Sequence, residues 1–312
     1  MPRTSVIIPT YNRPEELEDC LRSLARQTVP PDELLVVDDG NLSRIPAGDL
    51  CRQAGVECRH IHKKEPGLTE SRNVGVERSG GEIVFFFDDD VVLFPDYIEK
   101  VLALYAEDDS GDLGGVGGFI VNTKPLTLPR ALRYAFDVPF LVSGLREGRV
   151  LKSGFCTDFG DTPFPLRRVT PVEFLPGAAF SFRRQVLEEF SFTPGFRDVA
   201  LGEDKDFTVR VSRRYRLLLH PGARLYHFES PRMRPAKRPW GCKFLTGRYL
   251  LFRDQVSESP IDRIFFFYAA LGYLLARTAV LLSSMRREEL DHLLGACDAL
   301  HAIIAGDINF ET

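Results

Sequence analysis

The chain has 312 residues, 44% hydrophobic and 27% charged, which is ample for a packed core and excludes a disordered chain. A net charge of -4 excludes a global nucleic-acid footprint, although eleven Lys/Arg against one acid, Glu229, crowd the stretch from Arg213 to Arg253. The six cysteines, at 20, 51, 58, 156, 242 and 297, have neither CxxC spacing nor a zinc-type Cys/His cluster, and the N-terminus lacks the apolar core of a signal peptide. Reduced cysteines and a cytoplasmic location are therefore the expectation.

Taken in chain order, "SVIIPT" (5–10) predicts a short apolar strand. "NRPEELEDCLRSLARQ" (12–27) predicts a helix, with Asn12 as N-cap candidate and Pro14 in the first turn. Its apolar residues Leu17, Cys20, Leu21 and Leu24 recur at i, i+3, i+4, i+7, one face of a helix. "ELLVVDDGN" (33–41) reads as a second strand ending in two aspartates. "AGDLCRQAG" reads as a short helix, "VECRHIH" as a third strand, and "GLTESRNVGVERSGG" (67–81) as a helix closed by glycines. "EIVFFF" (82–87) is a fourth strand, followed at once by Asp88, Asp89 and Asp90. This βαβαβαβ order implies an α/β fold with a mainly parallel sheet covered by helices on both faces.

From 122 to 171 the pattern weakens: six prolines and no clear period indicate a long excursion. "VEFLPGAAFSFRRQVLEEF" (172–190) reads as a strand region and a short helix. "GEDKDFTVRVSRR" (202–214) reads as a helix with an acidic first turn, and "YRLLLHPGARLYHFES" (215–230) as two short strands. The remainder reads as helical. Within it, "IFFFYAALGYLLARTAVLL" (264–282) holds one charge, Arg277. Its length is borderline for a span of about 20 residues. A helix that does not span is the favoured reading, either buried or dimer-forming, or lying in a bilayer interface beside the basic stretch.

In open α/β sheets, ligands bind outside the carboxyl ends of the strands. Strand one ends in "PTYN", strand two in "DDGN" and strand four in "DDD", so the polar clusters fall on one edge. Three adjacent carboxylates become tolerable if a divalent cation neutralises them. Mg2+ and Mn2+ prefer oxygen ligands, and Mg2+ commonly takes one or two carboxylates plus substrate phosphates. The plainer reading of the triplet is a solvated acidic turn. Asp38 and Asp39 at the end of strand two can accept hydrogen bonds from a base or ribose, or simply make a turn. Arg72 and Asn73 in "ESRNVG" suit a phosphate, or an exposed salt bridge. Glu203, Asp204 and Asp206 offer a general base, or an ordinary acidic helix start. His227 offers a metal ligand, or a structural imidazole.

Together and in this order, these segments resemble the family-2 glycosyltransferases of GT-A fold. The resemblance rests on "SVIIPTYNRPEELEDCLRSLARQ", "ELLVVDDGN", "GLTESRNVGVERSGGEIVFFFDDDVVLFPDYI", "PGAAFSFRRQVL", "GEDKDFTVRV" and "YHFESP", over residues 4 to 230. It implies inverting transfer of a sugar, a UDP-sugar foremost, from a nucleoside-diphosphate donor to a hydroxyl of a glycan, lipid-linked or small-molecule acceptor. By the same resemblance Pro9, Thr10, Tyr11, Asn12, Asp38, Asp39, Arg72, Asn73, Asp88 and Asp89 cradle the donor. Asp88, Asp90 and His227 hold Mg2+ or Mn2+, and Asp204 is the base with Glu203 beside it. "DDGNLSR" departs from the family in lacking a Ser-x-Asp continuation. The resemblance divides the chain into a nucleotide-sugar half (1–121), an acceptor-side half (122–230) and a helical extension (231–312) that touches a membrane surface or a second copy. Two rival readings are a sugar nucleotidyltransferase, disfavoured because "PTYNRPEE" has no glycine-rich basic loop, and a non-catalytic sugar-nucleotide-binding protein.

Overall fold

The computed structural model describes residues 1–46, 48–123, 125, 127–196, 201–229 and 236–308. Pro231 to Pro235 of the basic run lie outside the described residues, as do Lys124 and Leu126 of the excursion and Ser230 and Pro231 of "YHFESP". The chain divides into two compact units that interleave along the sequence. Met1–Thr123, Leu166–Pro194 and Phe207–Ser230 form the first; Lys124–Pro165, Gly195–Asp206 and Pro231–Thr312 form the second.

The strands are β1 Thr4–Thr10, β2 Glu33–Asp38, β3 Glu57–His62, β4 Ile83–Phe87, β5 Val91–Leu93, β6 Leu113–Ile120, β7 Arg149–Val150, β8 Cys156–Thr157, β9 Thr170–Val172, β10 Ala179–Arg183 and β11 Arg216–His227. The α-helices are α1 Pro14–Leu24, α2 Gly48–Gln53, α3 Leu68–Arg78, α4 Tyr97–Ala106, α5 Leu128–Asp137, α6 Arg184–Glu189, α7 Glu203–Ser212, α8 Lys237–Leu251, α9 Arg263–Ser284 and α10 Arg287–Ala305.

The first unit is built on one mixed sheet, in the order β3-β2-β1-β4-β10-β6-β11-β5, with β9 also paired to β11. Its first four strands run parallel, and β10 enters antiparallel between β4 and β6. The α/β class expected from the sequence is what forms. β4 explains why the parallel half is stable. Phe85 and Phe87 pack into the core under α1, while Phe86 meets Phe180, Phe182 and Phe192 on the other face. Both faces are dry, so an uninterrupted apolar run replaces the alternation of a half-exposed strand. Burying each ring contributes roughly 1.5–3 kcal/mol.

Several local readings change. Asn12 is not the cap of α1: it has a φ of 54°, and its side chain accepts from the Asn41 amide instead. Asparagine tolerates this left-handed geometry better than most residues. "YRLLLHPGARLYH" is one strand, not two. A register shift between Leu219 and Arg224 absorbs Pro221, which has no amide to give the ladder. β6, "LGGVGGFI", is a strand although glycine weakens strand interiors. Its glycines make room for large neighbours: a Cβ on Gly118 would lie 2.3 Å from the Tyr97 ring. The proline-rich excursion contains α5, with Pro129 in its first turn and Leu128, Leu132 and Phe136 exposed along one side.

The second unit gathers α5, the β7-β8 hairpin and α8 to α10. Its core joins Phe155, Leu245, Phe252, Phe266, Tyr273 and Ala296. α8 and α10 approach closely, because a Cβ on Gly295 would lie 1.9 Å from the Arg238 carbonyl oxygen. Pro260–Ser284 is long and apolar enough to cross a membrane by length and composition alone. Within it, Phe266, Ala269, Ala270, Tyr273 and Ala276 are buried, while Ile264, Tyr268, Leu271, Leu275 and Leu282 form an exposed row. Arg277, the one charge of the apolar segment, pairs with Glu289 of α10. Trp240 is half-buried in the first turn of α8.

Two predictions follow from this packing. Gly118→Ala should destabilise the protein by about 1–3 kcal/mol in urea unfolding, and pairing it with Tyr97→Leu should recover part of that loss. Equal losses in the single and double variants would mean the ring is not what β6 accommodates. His292, buried in α10 and bonded through Nε2 to the Tyr273 hydroxyl at 2.6 Å, has its pKa lowered to about 4 by burial and by Arg277. An unfolded histidine takes up its proton near 6.5. The unfolded state therefore binds more protons between those values, and stability falls as pH drops through that window. Between pH 7 and pH 5 His292 should account for about 1–2 kcal/mol of lost stability. His292→Asn should flatten this dependence in urea titrations at the two pH values.

Candidate active site

The carboxyl ends of β1, β2 and β4 lie side by side. Thr10 and Asp38 are register partners, so the last residues of β1 and β2 are neighbours by construction. The chain leaving β4 is anchored by the Asp88 amide, which donates to the Ala178 carbonyl at 3.0 Å. The chain then turns into β5, whose Val91 pairs with His227 at the end of β11. That pairing carries His227, 137 positions away in the sequence, to the acidic triplet.

Each carboxylate of the triplet has its own compensation. Asp89 is 4% exposed; it accepts from Thr10 Oγ1 at 2.8 Å and from Arg13 Nη1 at 3.0 Å. Burial raises its pKa to about 6, against the pull of Arg13 and Thr10 and reinforced by the neighbouring charges of Asp90 and Asp88. Asp90, 6% exposed, lies 3.6 Å from Arg13 and 3.1 Å from His227 Nε2. Asp88 accepts from Arg72 Nη2 at 3.2 Å. Burial would lower the pKa of His227, but its bond to Asp90 and the charges of Asp88 and Asp90 prevail and raise it.

Asp88, Asp90 and His227 each offer one ligand atom, and these atoms lie within 4.8 Å of one another. Two carboxylates and an imidazole, with a buried arginine behind them, form a donor set that fits a divalent cation. Arg72 is buried; its guanidinium lies 5.2 Å from the Phe180 ring centre and 5.3 Å from that of Phe192. Both rings pack against the guanidinium, whose Nη2 donates to Asp88.

The remaining donor-side candidates divide. Pro9 and Thr10 are buried at the end of β1, Tyr11 is half-buried and Asn12 exposed. Asp38 is buried; it accepts from the Gly40 amide at 2.8 Å and the Leu42 amide at 2.9 Å, which shapes the loop after β2. His60 and His62, alternate residues of β3, lie 3.3 and 3.6 Å from it. Asp39 accepts from the Gly67 amide and from Ser71 Oγ, fixing the start of α3. Asn73 is turned away from the edge. Its amide donates to the Phe192 carbonyl at 2.8 Å and accepts from the Phe192 amide at 3.0 Å. Both polar atoms tie α3 to the segment after α6, so the structure gives Asn73 a structural task where the sequence offered a phosphate contact.

Glu203 and Asp204 lie in the first turn of α7, among the residues of the second unit. Both are half-buried, whereas Asp206 is buried. Lys205 places Nζ 3.0 Å from Asp158 Oδ1. Burial alone would lower the Lys205 pKa, but the carboxylates of Asp158 and Asp204 raise it. The first turn of α7 is therefore a charged cluster with a fixed ammonium.

Two residues escaped the sequence reading. Arg13 neutralises Asp89 and Asp90; it stood in "YNRPEE" with nothing to show which way it faced. Asn122 holds the His227 backbone, donating to its carbonyl at 2.8 Å and accepting from its amide at 3.0 Å. The alternation of His60 and His62 was visible in "RHIH", and the parallel register of β3 on β2 would have sent both toward Asp38.

The match to known proteins agrees with this geometry. The family model "Glycosyl transferase family 2" matches residues 5–190. The glycosyltransferase AglE of Haloferax volcanii is 33% identical over 140 residues, 43% of this chain and 44% of its own. The chain thus spans under half the length of that relative, and about a third of others it matches. Among solved structures, S. aureus TarS 1-349 superimposes with a TM-score of 0.57 at 16% identity, covering 96% of this chain and 80% of that one. The mannosyltransferase PcManGT from Pyrobaculum calidifontis, solved with GDP-Man and Mn2+, gives 0.54 at 17% identity, covering 99% and 88%. These likenesses establish the shared fold. With a family model covering more than half of its residues, the chain belongs to glycosyl transferase family 2.

Proposed function

We propose that this chain transfers a sugar from a nucleoside-diphosphate sugar to an acceptor hydroxyl, with inversion, using a divalent cation held by Asp88, Asp90 and His227. The observation that carries the reading is the convergence of those three side chains at the carboxyl edge of the sheet, beside Thr10 and Asp38. Ligands of open α/β sheets bind at this edge. A UDP-sugar is the favoured donor. S. aureus TarS, similar in fold, has been solved with UDP-GlcNAc.

A bound cation would neutralise developing charge on the diphosphate. The chain supplies the rest. The imidazole among the ligands favours Mn2+ over Mg2+, which prefers a shell of oxygen alone. Arg72, packed against two phenylalanine rings, presents a fixed positive charge toward Asp88. Arg13 keeps Asp89 and Asp90 compatible with burial. Asp204 takes the proton of the acceptor hydroxyl. The acceptor oxygen bonds to the anomeric carbon, and the bond from that carbon to the diphosphate oxygen breaks. Its electron pair leaves with the nucleoside diphosphate. One carboxylate base suits inversion; retention through a covalent intermediate would need a nucleophile as well. The exposed apolar row on α9 supports a contact with a bilayer surface or with a second copy of the chain.

Family membership and the intact acids count against both a nucleotidyltransferase and a binding protein without turnover. Release of nucleoside diphosphate, not pyrophosphate, from a panel of sugar nucleotides with Mn2+ tests the reaction class. Asp90→Ala should weaken Mn2+-dependent binding of the donor about a hundredfold in calorimetry; unchanged affinity would remove it from the metal shell. Asp204→Asn should keep donor affinity and lower kcat by about 10²–10⁴-fold. Wild-type turnover in that variant would refute its role as base.

A further inference from the structure

We propose that a cavity within the second unit is the acceptor pocket, and that it receives one neutral sugar ring. This rests on the sugar-transfer reading above. The cavity measures about 240 Å³, smaller than the roughly 300–1,000 Å³ of sites for drug-sized molecules. A single ring fits that scale.

The lining selects the chemistry. Three guanidinium groups, Arg130, Arg133 and Arg248, face three carboxylates, Asp137, Asp158 and Asp161. They are matched in pairs: Arg130 with Asp161 at 2.8 Å, Arg133 with Asp137 at 2.7 Å, and Arg248 with Asp158 at 3.6 Å. An anionic ligand would meet as many negative as positive groups and would forfeit its hydration without a net countercharge. A hydroxyl both donates and accepts, so a polyol can satisfy carboxylates and guanidinium groups together. Phe244 and Tyr273, stacked with ring centres 5.0 Å apart, supply apolar lining beside the charges. Exposure is graded along the cavity. The Asp161 side chain is 55% exposed at the mouth, and that of Arg248 is 9% exposed at the floor.

The floor lies against the neighbour of the proposed base. Lys205, the residue after Asp204, contacts Asp158 of the lining at 3.0 Å. A ring seated in the cavity therefore has the proton acceptor within the same unit.

Ligand-observed NMR on the full chain tests this, with Mn2+ and with UDP or GDP present. The probes are the methyl glycosides of glucose, galactose and N-acetylglucosamine, with glucose 1-phosphate as the anionic counterpart. At least one methyl glycoside should bind. Ser143→Trp, which fills the cavity, should weaken it by about tenfold or more, and Asp161→Asn should weaken it as well. Melting temperatures close to the wild type would show that both variants fold. Nucleotide binding with no glycoside binding, or glycoside binding indifferent to both variants, overturns the pocket and leaves the reaction class standing. Stronger binding of glucose 1-phosphate than of any glycoside overturns the neutral acceptor. Glycoside binding that Ser143→Trp abolishes, in a chain that binds neither nucleotide, supports the pocket and overturns sugar transfer. Binding of neither class overturns both.

Discussion

Three carboxylates stand where a doubly buried strand runs out, and the first unit is organised around keeping them there. β4 is apolar on both faces, so Phe85, Phe86 and Phe87 cannot slip outward to let the acids reach water. The acids stay close to the protein interior, and charge must come to them. Arg13 arrives from the loop after β1, Arg72 from α3, and His227 from the end of β11. Each comes from a different element, and each is fixed by something unrelated to charge: a helix start, packing against aromatic rings, a strand register. The site is preorganised because its supports are structural.

Repulsion among the acids is only partly relieved by this arrangement. The pKa of Asp89 still rises to about 6, which shows burial and neighbouring acids outweighing one arginine and one hydroxyl. Asp88 and Asp90 share an imidazole between them. A doubly charged cation answers that surplus better than a further arginine would, since a carboxylate pair is itself a ligand set. The same residues thus account for both the electrostatic tension of the fold and the chemistry proposed for it.

The second unit solves a different problem. Its cavity is lined by charges that cancel pair by pair, beside stacked rings. The sheet edge concentrates one sign of charge, which suits the cation and diphosphate proposed for it. The cavity balances both signs, which suits the neutral acceptor proposed for it.

Much of the parallel half was legible in the sequence. The apolar runs of β1, β2 and β4 and the one-faced stripe of α1 are local patterns, and the ends of β2 and β4 carried their acids in plain view. Short-range physics fixes such features: side-chain periodicity and the cost of exposing apolar area. β6 escaped because its four glycines make sense only against Tyr215, Phe182, Leu175 and Tyr97, and α5 because an excursion rich in proline has no period to read. Arg13, Asn122, the inward turn of Asn73 toward Phe192 and the charge-paired cavity were decided by tertiary structure alone. Each depends on which residues a distant strand or helix brings within 3 to 4 Å, and a carboxylate's partner at that range leaves no mark on the residues beside it in the chain.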